Sequence, residues 1–215
     1  MNKNVIKSIA LMIFLVPSIS FAFSIPGVGL GSSGSGNAGP DLNAEQTQLI
    51  TNYVAANQFV LTANEKMAQA LGLSADAAKV KATAAALTSG PSLGNIKKSD
   101  TVLSKSIQEV TTSIKNRKAK PLDTASKQLF AAGLVNLAAG VVEYGKLASN
   151  IGNVQSSLSS ASPMALMNLS PMIYIAKNLP SNAKNLGSTL SEAVTYAKGQ
   201  DIPVPASATS ALGSL

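Results

Sequence analysis

The sequence contains no cysteine and no histidine. Without thiolates and imidazoles, zinc, copper and haem sites lose most of their usual ligands. Catalytic devices that pair serine or cysteine with histidine are excluded for the same reason. The lack of cysteine also excludes disulfides and lipid attachment to a cysteine side chain. We therefore expect a non-enzymatic protein with no catalytic residues, no metal site and no cofactor, stabilised by apolar packing.

Tryptophan is absent as well, and Arg117 is the single arginine. Arginine supplies most of the bidentate contacts by which proteins recognise guanine and phosphate. The net charge of +7 therefore comes almost entirely from lysine. This composition predicts a generally basic surface and no nucleic-acid binding.

Residues 1–22 have the pattern of a secretory signal peptide. Lys3 and Lys7 form a positive n-region, an apolar run follows from Ile9 to Val16, and Ala22 ends a small-residue cleavage site. The apolar run is much shorter than the roughly 20 residues that cross a bilayer. We expect cleavage after Ala22, which removes both lysines and lowers the net charge from +7 to +5. The location is then periplasmic or secreted.

The remaining chain divides into three parts. Residues 23–40 are rich in glycine and serine and carry no charge, which is typical of a flexible arm. Residues 41–200 show helical periodicity and no sustained alternation of period two, so we predict an all-α bundle of five or six helices. Residues 201–215 contain an Ile-Pro-Val-Pro segment directly after Asp201 and are predicted to form a C-terminal tail.

Capping residues and prolines predict where the helices of the bundle begin and end. Gly72 is expected to end the first helix, and Pro171 to kink or split the fifth. The basic residues from Lys115 to Lys120 are interpreted as complementing a helix dipole rather than as an anion site. The helices are predicted to begin at Asp41 or Asn43, at Ser74, near Ser99, near Asp123, at Pro163 and after Pro180.

Small residues recur in register along the fourth helix. Glycine inside a helix costs about 1 kcal/mol relative to alanine, so repeated glycine requires a compensating contact. We predict a seam at which a second helix approaches closely, and Ala56, Ala63 and Ala70 indicate the first helix as an antiparallel partner. The predicted seam consists of Ala131, Ala138, Gly145 and Gly152, and Gly133 with Gly140 forms another such pair.

Methionine and isoleucine cluster on both sides of Pro171. Flexible apolar side chains beside a helix kink are suited to an adaptable pocket for a lipid or another apolar small molecule. The alternative is that they fill gaps in the core. The candidate pocket residues are Met164, Met167, Met172, Ile173 and Ile175.

Three functions remain open. The first is an exported protein of the bacterial cell envelope that binds another protein or itself through a helical face. The second is a periplasmic carrier of a lipid or other apolar molecule. The third, a membrane-perturbing effector, draws on the uncharged stretch from Leu129 to Val142. Because that stretch is shorter than a bilayer crossing, we expect no stable transmembrane span after signal cleavage.

Overall fold

The structure is a computed structural model that describes residues 42–116 and 121–213. These residues form seven α-helices and no strand, which confirms the all-α class. The predicted signal peptide, the predicted arm, Asp41, residues 117–120 with three of the basic residues, and residues 214–215 lie outside the described residues. The helices are α1 (Leu42–Ala70), α2 (Ser74–Ser89), α3 (Leu93–Asn116), α4 (Thr124–Ser160), α5 (Pro163–Asn168), α6 (Ser170–Gly199) and α7 (Ala206–Gly213).

Several predicted helix ends are present. Gly72 has a φ of 74°, and the N–H of Leu73 bonds to the Ala68 carbonyl at 2.8 Å, a pattern that ends α1 with a left-handed glycine. Asp123 caps α4, since its carboxylate accepts a hydrogen bond of 2.7 Å from the Ser126 amide. Local hydrogen-bonding chemistry is therefore sufficient to place these two boundaries.

The start of α3 differs from the prediction. The helix begins at Leu93, six residues before Ser99. The Ser92 hydroxyl accepts a hydrogen bond of 3.2 Å from the Asn95 amide, and Ile96 is fully buried. Ser92 is thus the effective cap, and burial of Ile96 favours the additional turns.

Pro180 does not begin a new helix, because α6 continues through it. The proline is exposed, while Leu179 and Leu186 on either side of it are buried in the core. Pro180 has no amide hydrogen to donate to the Ala176 carbonyl, and beside it the Ser181 hydroxyl donates to the Asn178 carbonyl at 3.0 Å. Continuous burial on both sides outweighs the cost of the missing amide.

The predicted C-terminal tail contains a helix. In α7, Ala208 and Ala211 are buried, and the helix packs against α4 and α6. Small side chains allow close approach, so even this short helix contributes to the core. The bundle therefore extends beyond residue 200.

Helices α1 and α4 form a closely packed antiparallel pair. A Cβ atom built on Gly140 would lie 2.5 Å from Val60 Cγ2, and one on Gly133 would lie 3.2 Å from the Ala63 carbonyl oxygen. Higher numbers on α4 thus meet lower numbers on α1, which is the orientation that the small residues of both helices predict. Close approach of the two backbones explains why glycine occupies both positions.

The predicted seam residues are only partly at this contact. A Cβ atom on Gly145 or Gly152 would meet nothing within 4 Å, so the seam assignment is wrong for these two glycines. Ala138 is buried and Ala131 is half-buried against the core. Both glycine series repeat every seven residues, but they lie on different faces, and Gly133 and Gly140 occupy the face toward α1.

Helix α4 is also the one described helix that is long and apolar enough, by length and composition alone, to cross a membrane. It has 37 residues, and the uncharged stretch from Leu129 to Val142 lies within it. In the structure it packs against α1, α6 and α7, and 39% of its most apolar stretch is buried. A central core helix of a bundle has the same properties.

Candidate functional site

The five predicted pocket residues do not line one pocket. Met172 and Ile175 are fully buried in the core, whereas Met164 and Met167 are each 79% exposed and Ile173 is 38% exposed. Part of the separation arises because α5 ends at Asn168 and α6 begins at Ser170, so Met164 and Met167 lie on a different helix from the other three residues. The prediction of a shared pocket is corrected on this point.

Helix α5 is held at the surface. The Ser162 hydroxyl caps it by accepting a hydrogen bond of 3.3 Å from the Ala165 amide, and none of its six residues is buried. Met164 and Met167 are three residues apart and therefore lie on the same side of this helix. We name these two residues the α5 methionine surface. It presents flexible apolar side chains to solvent.

A cleft of about 510 Å³ opens between the C-terminal parts of α3 and α6. Ile114 and Tyr196 contribute apolar surface to it, and Gln200 lies at one end. Lys115 and Glu192 also line it and form an exposed ion pair with 3.8 Å between Nζ and Oε2. We name it the α3–α6 cleft. Its volume is within the range of small-molecule sites.

A polar cluster inside the bundle was not predicted from the sequence. Asp100 on α3 is half-buried and accepts two hydrogen bonds, from the Tyr53 hydroxyl at 2.7 Å and from the Tyr174 hydroxyl at 2.9 Å. The Asn182 side-chain amide donates to the Tyr53 hydroxyl at 3.3 Å. Side chains from α1, α3 and α6 therefore meet at one carboxylate. Among the described residues, Asp100 forms no ion pair with a lysine or arginine.

Burial controls the ionisation of this cluster. It raises the pKa of Asp100 above its ordinary value of 3.8, although the two tyrosine hydrogen bonds act in the opposite direction. Burial and the nearby carboxylate also raise the pKa of Tyr53, and they raise that of Tyr174 to about 12. Both phenols therefore stay protonated near neutral pH and act as donors to the carboxylate rather than as bases.

Tyr144 on α4 completes the cluster. Its ring contacts the ring of Tyr53 edge-on, with centroids 5.6 Å apart. Its fully buried hydroxyl lies within reach of the Tyr53 hydroxyl and the Asn57 side chain. Among the described residues neither contact has regular hydrogen-bond geometry, and the Asn57 side-chain oxygen also lacks a regular partner. Buried hydroxyl groups are rarely left without a partner, so these atoms identify an incompletely satisfied polar site.

A pocket of about 30 Å³ adjoins the cluster. Asp100 and Tyr144 line it together with Asn182, while Ser104 and Asn185 lie on its more exposed side. This volume holds one or a few water-sized particles, not an organic ligand. We name it the Asp100 pocket.

The sequence does contain one signal for this cluster. Three of the four tyrosines converge on it, and two of them, Tyr53 and Tyr144, occupy the apolar stripes of their helices. A buried tyrosine hydroxyl usually has a polar partner, so tyrosines on core stripes predict a polar group within the core. The identity of that group, Asp100, depends on helix packing over 47 and 74 residues of sequence.

Two other carboxylates approach one another at the surface. Asp76 on α2 lies beside Glu109 on α3, and this contact is the main cause of the raised pKa of Glu109. Lys79 and Lys105 act in the opposite direction. Within residues 42–116 and 121–213, no group of three or more acidic side chains has the arrangement of a metal site.

Comparison with known proteins gives no external assignment: the chain matches no protein-family model, no curated protein and no solved structure.

Proposed function

We propose that this protein is an exported, non-enzymatic component of the bacterial cell envelope that acts by binding another protein or a second copy of itself. The proposed architecture is a bundle of five long helices with two short ones, preceded by the flexible arm of residues 23–40. The arm would let the bundle move relative to any envelope surface or partner that contacts the N-terminal end of the arm.

The observation that supports binding is the α5 methionine surface. Burying a methionine side chain contributes about 1.5–3 kcal/mol, yet Met164 and Met167 are each 79% exposed. Methionine has no branched carbon and adapts to different partner shapes, which is why it is frequent at binding surfaces. A helix with no buried residue contributes little to the core, so its exposed side chains are available for a partner.

Site-specific photo-crosslinking in the host envelope tests this proposal. A photoreactive amino acid at Met167 should yield a defined adduct, while the same group at Ser188, an exposed position on α6, should not. In the double variant Met164→Gln/Met167→Gln, a photoreactive group at Ala165 should no longer form the adduct. The stability of this variant should stay close to that of the wild type, because substitutions at exposed positions change the free energy of unfolding by about 0.5 kcal/mol or less. Equal labelling at Met167 and Ser188 would count against the α5 surface.

Export is tested separately by the mass of the protein in the envelope fraction. The expected species begins at Phe23, because cleavage follows Ala22. An intact mass that retains residues 1–22, found in the cytoplasm, would refute this part of the proposal.

The α3–α6 cleft supports a second candidate, the carrier of an apolar small molecule. Its volume of about 510 Å³ accommodates a ligand of drug size, and Ile114 and Tyr196 supply apolar contacts. Native mass spectrometry of protein from its own envelope should then show an added mass that the variant Thr195→Trp, which narrows the cleft, does not retain. An unmodified mass in the wild type would favour the binding-protein proposal.

A further inference from the structure

The Asp100 pocket contains one negative charge and several neutral oxygen atoms. Asp100 supplies the carboxylate, Tyr144 supplies a buried hydroxyl without a regular partner, and Asn182 uses its amide nitrogen for Tyr53, which leaves its carbonyl oxygen available. Each oxygen of the carboxylate accepts from one tyrosine and retains further lone-pair capacity. All of these groups are acceptors for a cation.

The chemistry of the pocket restricts its occupant. The carboxylate disfavours an anion, and a volume of about 30 Å³ excludes an organic molecule. Calcium usually takes six to eight oxygen ligands and tight sites supply several carboxylates, whereas this pocket has one. Among the described residues, no lysine or arginine forms an ion pair with Asp100. The half-buried Asp100 carboxylate is partly desolvated and has no direct counterion, so a single positive charge would be stabilised here.

We propose that the Asp100 pocket binds a small monovalent cation of the size of Na⁺, held by the Asp100 carboxylate, the Tyr144 hydroxyl oxygen and the Asn182 carbonyl oxygen. Bound there, the cation links α3, α4 and α6 and stabilises the packed bundle. This site is independent of the α5 methionine surface, so it does not rest on the proposed binding function.

Thermal unfolding of the purified protein in different chloride salts of equal ionic strength tests the proposal. At a sodium concentration ten times the dissociation constant, the folding equilibrium constant should rise about elevenfold relative to choline chloride. This corresponds to an increase in Tm of about 3–6 °C that saturates with sodium. Potassium should give a smaller increase at the same concentration, because the pocket is small.

The variants Asp100→Asn and Tyr144→Phe should abolish or reduce the difference in Tm between sodium chloride and choline chloride. The control Glu143→Gln, which removes an exposed carboxylate elsewhere on α4, should keep this difference. Saturable broadening of the sodium NMR signal by the wild type, reduced in Tyr144→Phe, provides a second measurement if Asp100→Asn does not fold. Equal Tm values in sodium and choline would show that the pocket holds water only. A sodium effect that persists undiminished in Asp100→Asn would show a general salt effect and overturn the proposal.

Discussion

Replacing Gly140 by alanine tests the packing of α1 against α4. The new Cβ would lie 2.5 Å from Val60 Cγ2, 3.4 Å from the Val60 amide nitrogen and 3.5 Å from Phe59 Cβ. Carbon atoms in contact are normally about 3.5–4.0 Å apart. Val60 is fully buried and β-branched, so it has few alternative rotamers to adopt. One or both helices must therefore move.

The magnitude follows from two opposing contributions. Overpacking a well-packed core costs about 1–3 kcal/mol, and the short distance to a stiff neighbour places Gly140→Ala in the upper part of that range. Alanine gains about 1 kcal/mol over glycine in helix propensity. The net loss is then about 1–2 kcal/mol, which lowers the Tm of a domain of this size by about 2–8 °C. Gly133→Ala should lose less, because its nearest contact, at 2.7 Å, is with the more flexible Met67 side chain. The Ala63 carbonyl oxygen at 3.2 Å still opposes the new methyl group.

Gly145→Ala is the matched control on the same helix. Nothing lies within 4 Å of its built Cβ, so the helix-propensity gain is not opposed. It should stabilise the protein by about 0.5–1 kcal/mol, a Tm increase of about 1–4 °C. Calorimetry or circular dichroism of both variants gives the comparison. If Gly140→Ala proves as stable as Gly145→Ala, the close contact between α1 and α4 is wrong.

Four further substitutions test the core and the polar cluster, all in sodium-free choline chloride. Ala138→Leu should destabilise the fold by about 1–3 kcal/mol through overpacking, and an unchanged Tm would show that space exists beside this residue. Tyr53→Phe removes a hydrogen-bond donor to Asp100 and should lower the free energy of unfolding, measured with denaturant, by about 1–3 kcal/mol. Tyr144→Phe removes a hydroxyl without a regular partner and should leave that free energy equal or higher. The opposite order of the two variants would contradict the assigned hydrogen bonds. Because burial raises the folded-state pKa of Asp100 above 3.8, the stability that protonated Asp100 contributes is fully present below pH 3.8 and is lost as the pH rises through the raised pKa. Asp100→Asn should therefore gain stability relative to the wild type over that interval, and a parallel pH profile for the two proteins would refute the raised pKa.

Local chemistry was sufficient to predict the helical class and several boundaries. Gly72 and Asp123 carry their signals within a few residues, so their roles could be read from the sequence. Pro180 was misread because a proline normally interrupts a helix at a cost of about 3 kcal/mol, and only the packing of the flanking leucines shows that the helix continues. Alanine and serine in α7 gave too weak a pattern to predict a helix.

The sequence could not predict the roles of residues whose contacts depend on which face of one helix packs against which neighbouring helix. The sevenfold spacing of glycine on α4 identifies two faces, and the spacing alone does not show that Gly140 rather than Gly145 meets α1. Asp100 is separated by 47 residues from one of its tyrosine partners and by 74 from the other, so no local motif unites them. The methionine cluster likewise divided, because a break at Leu169 places Met164 and Met167 on the exposed helix α5 and Met172 on α6.

Helix α7 has a consequence for how the protein is made. Residues 206–213 leave the ribosome after every other described helix, yet Ala208 and Ala211 are buried against helices synthesised earlier. Until they emerge, the surfaces of α4 and α6 that they cover are exposed to solvent, and the nascent chain displays apolar area that the finished protein conceals. A released chain that ends at residue 205 would therefore keep this apolar area exposed, and would bind chaperones or aggregate more readily than the full-length protein.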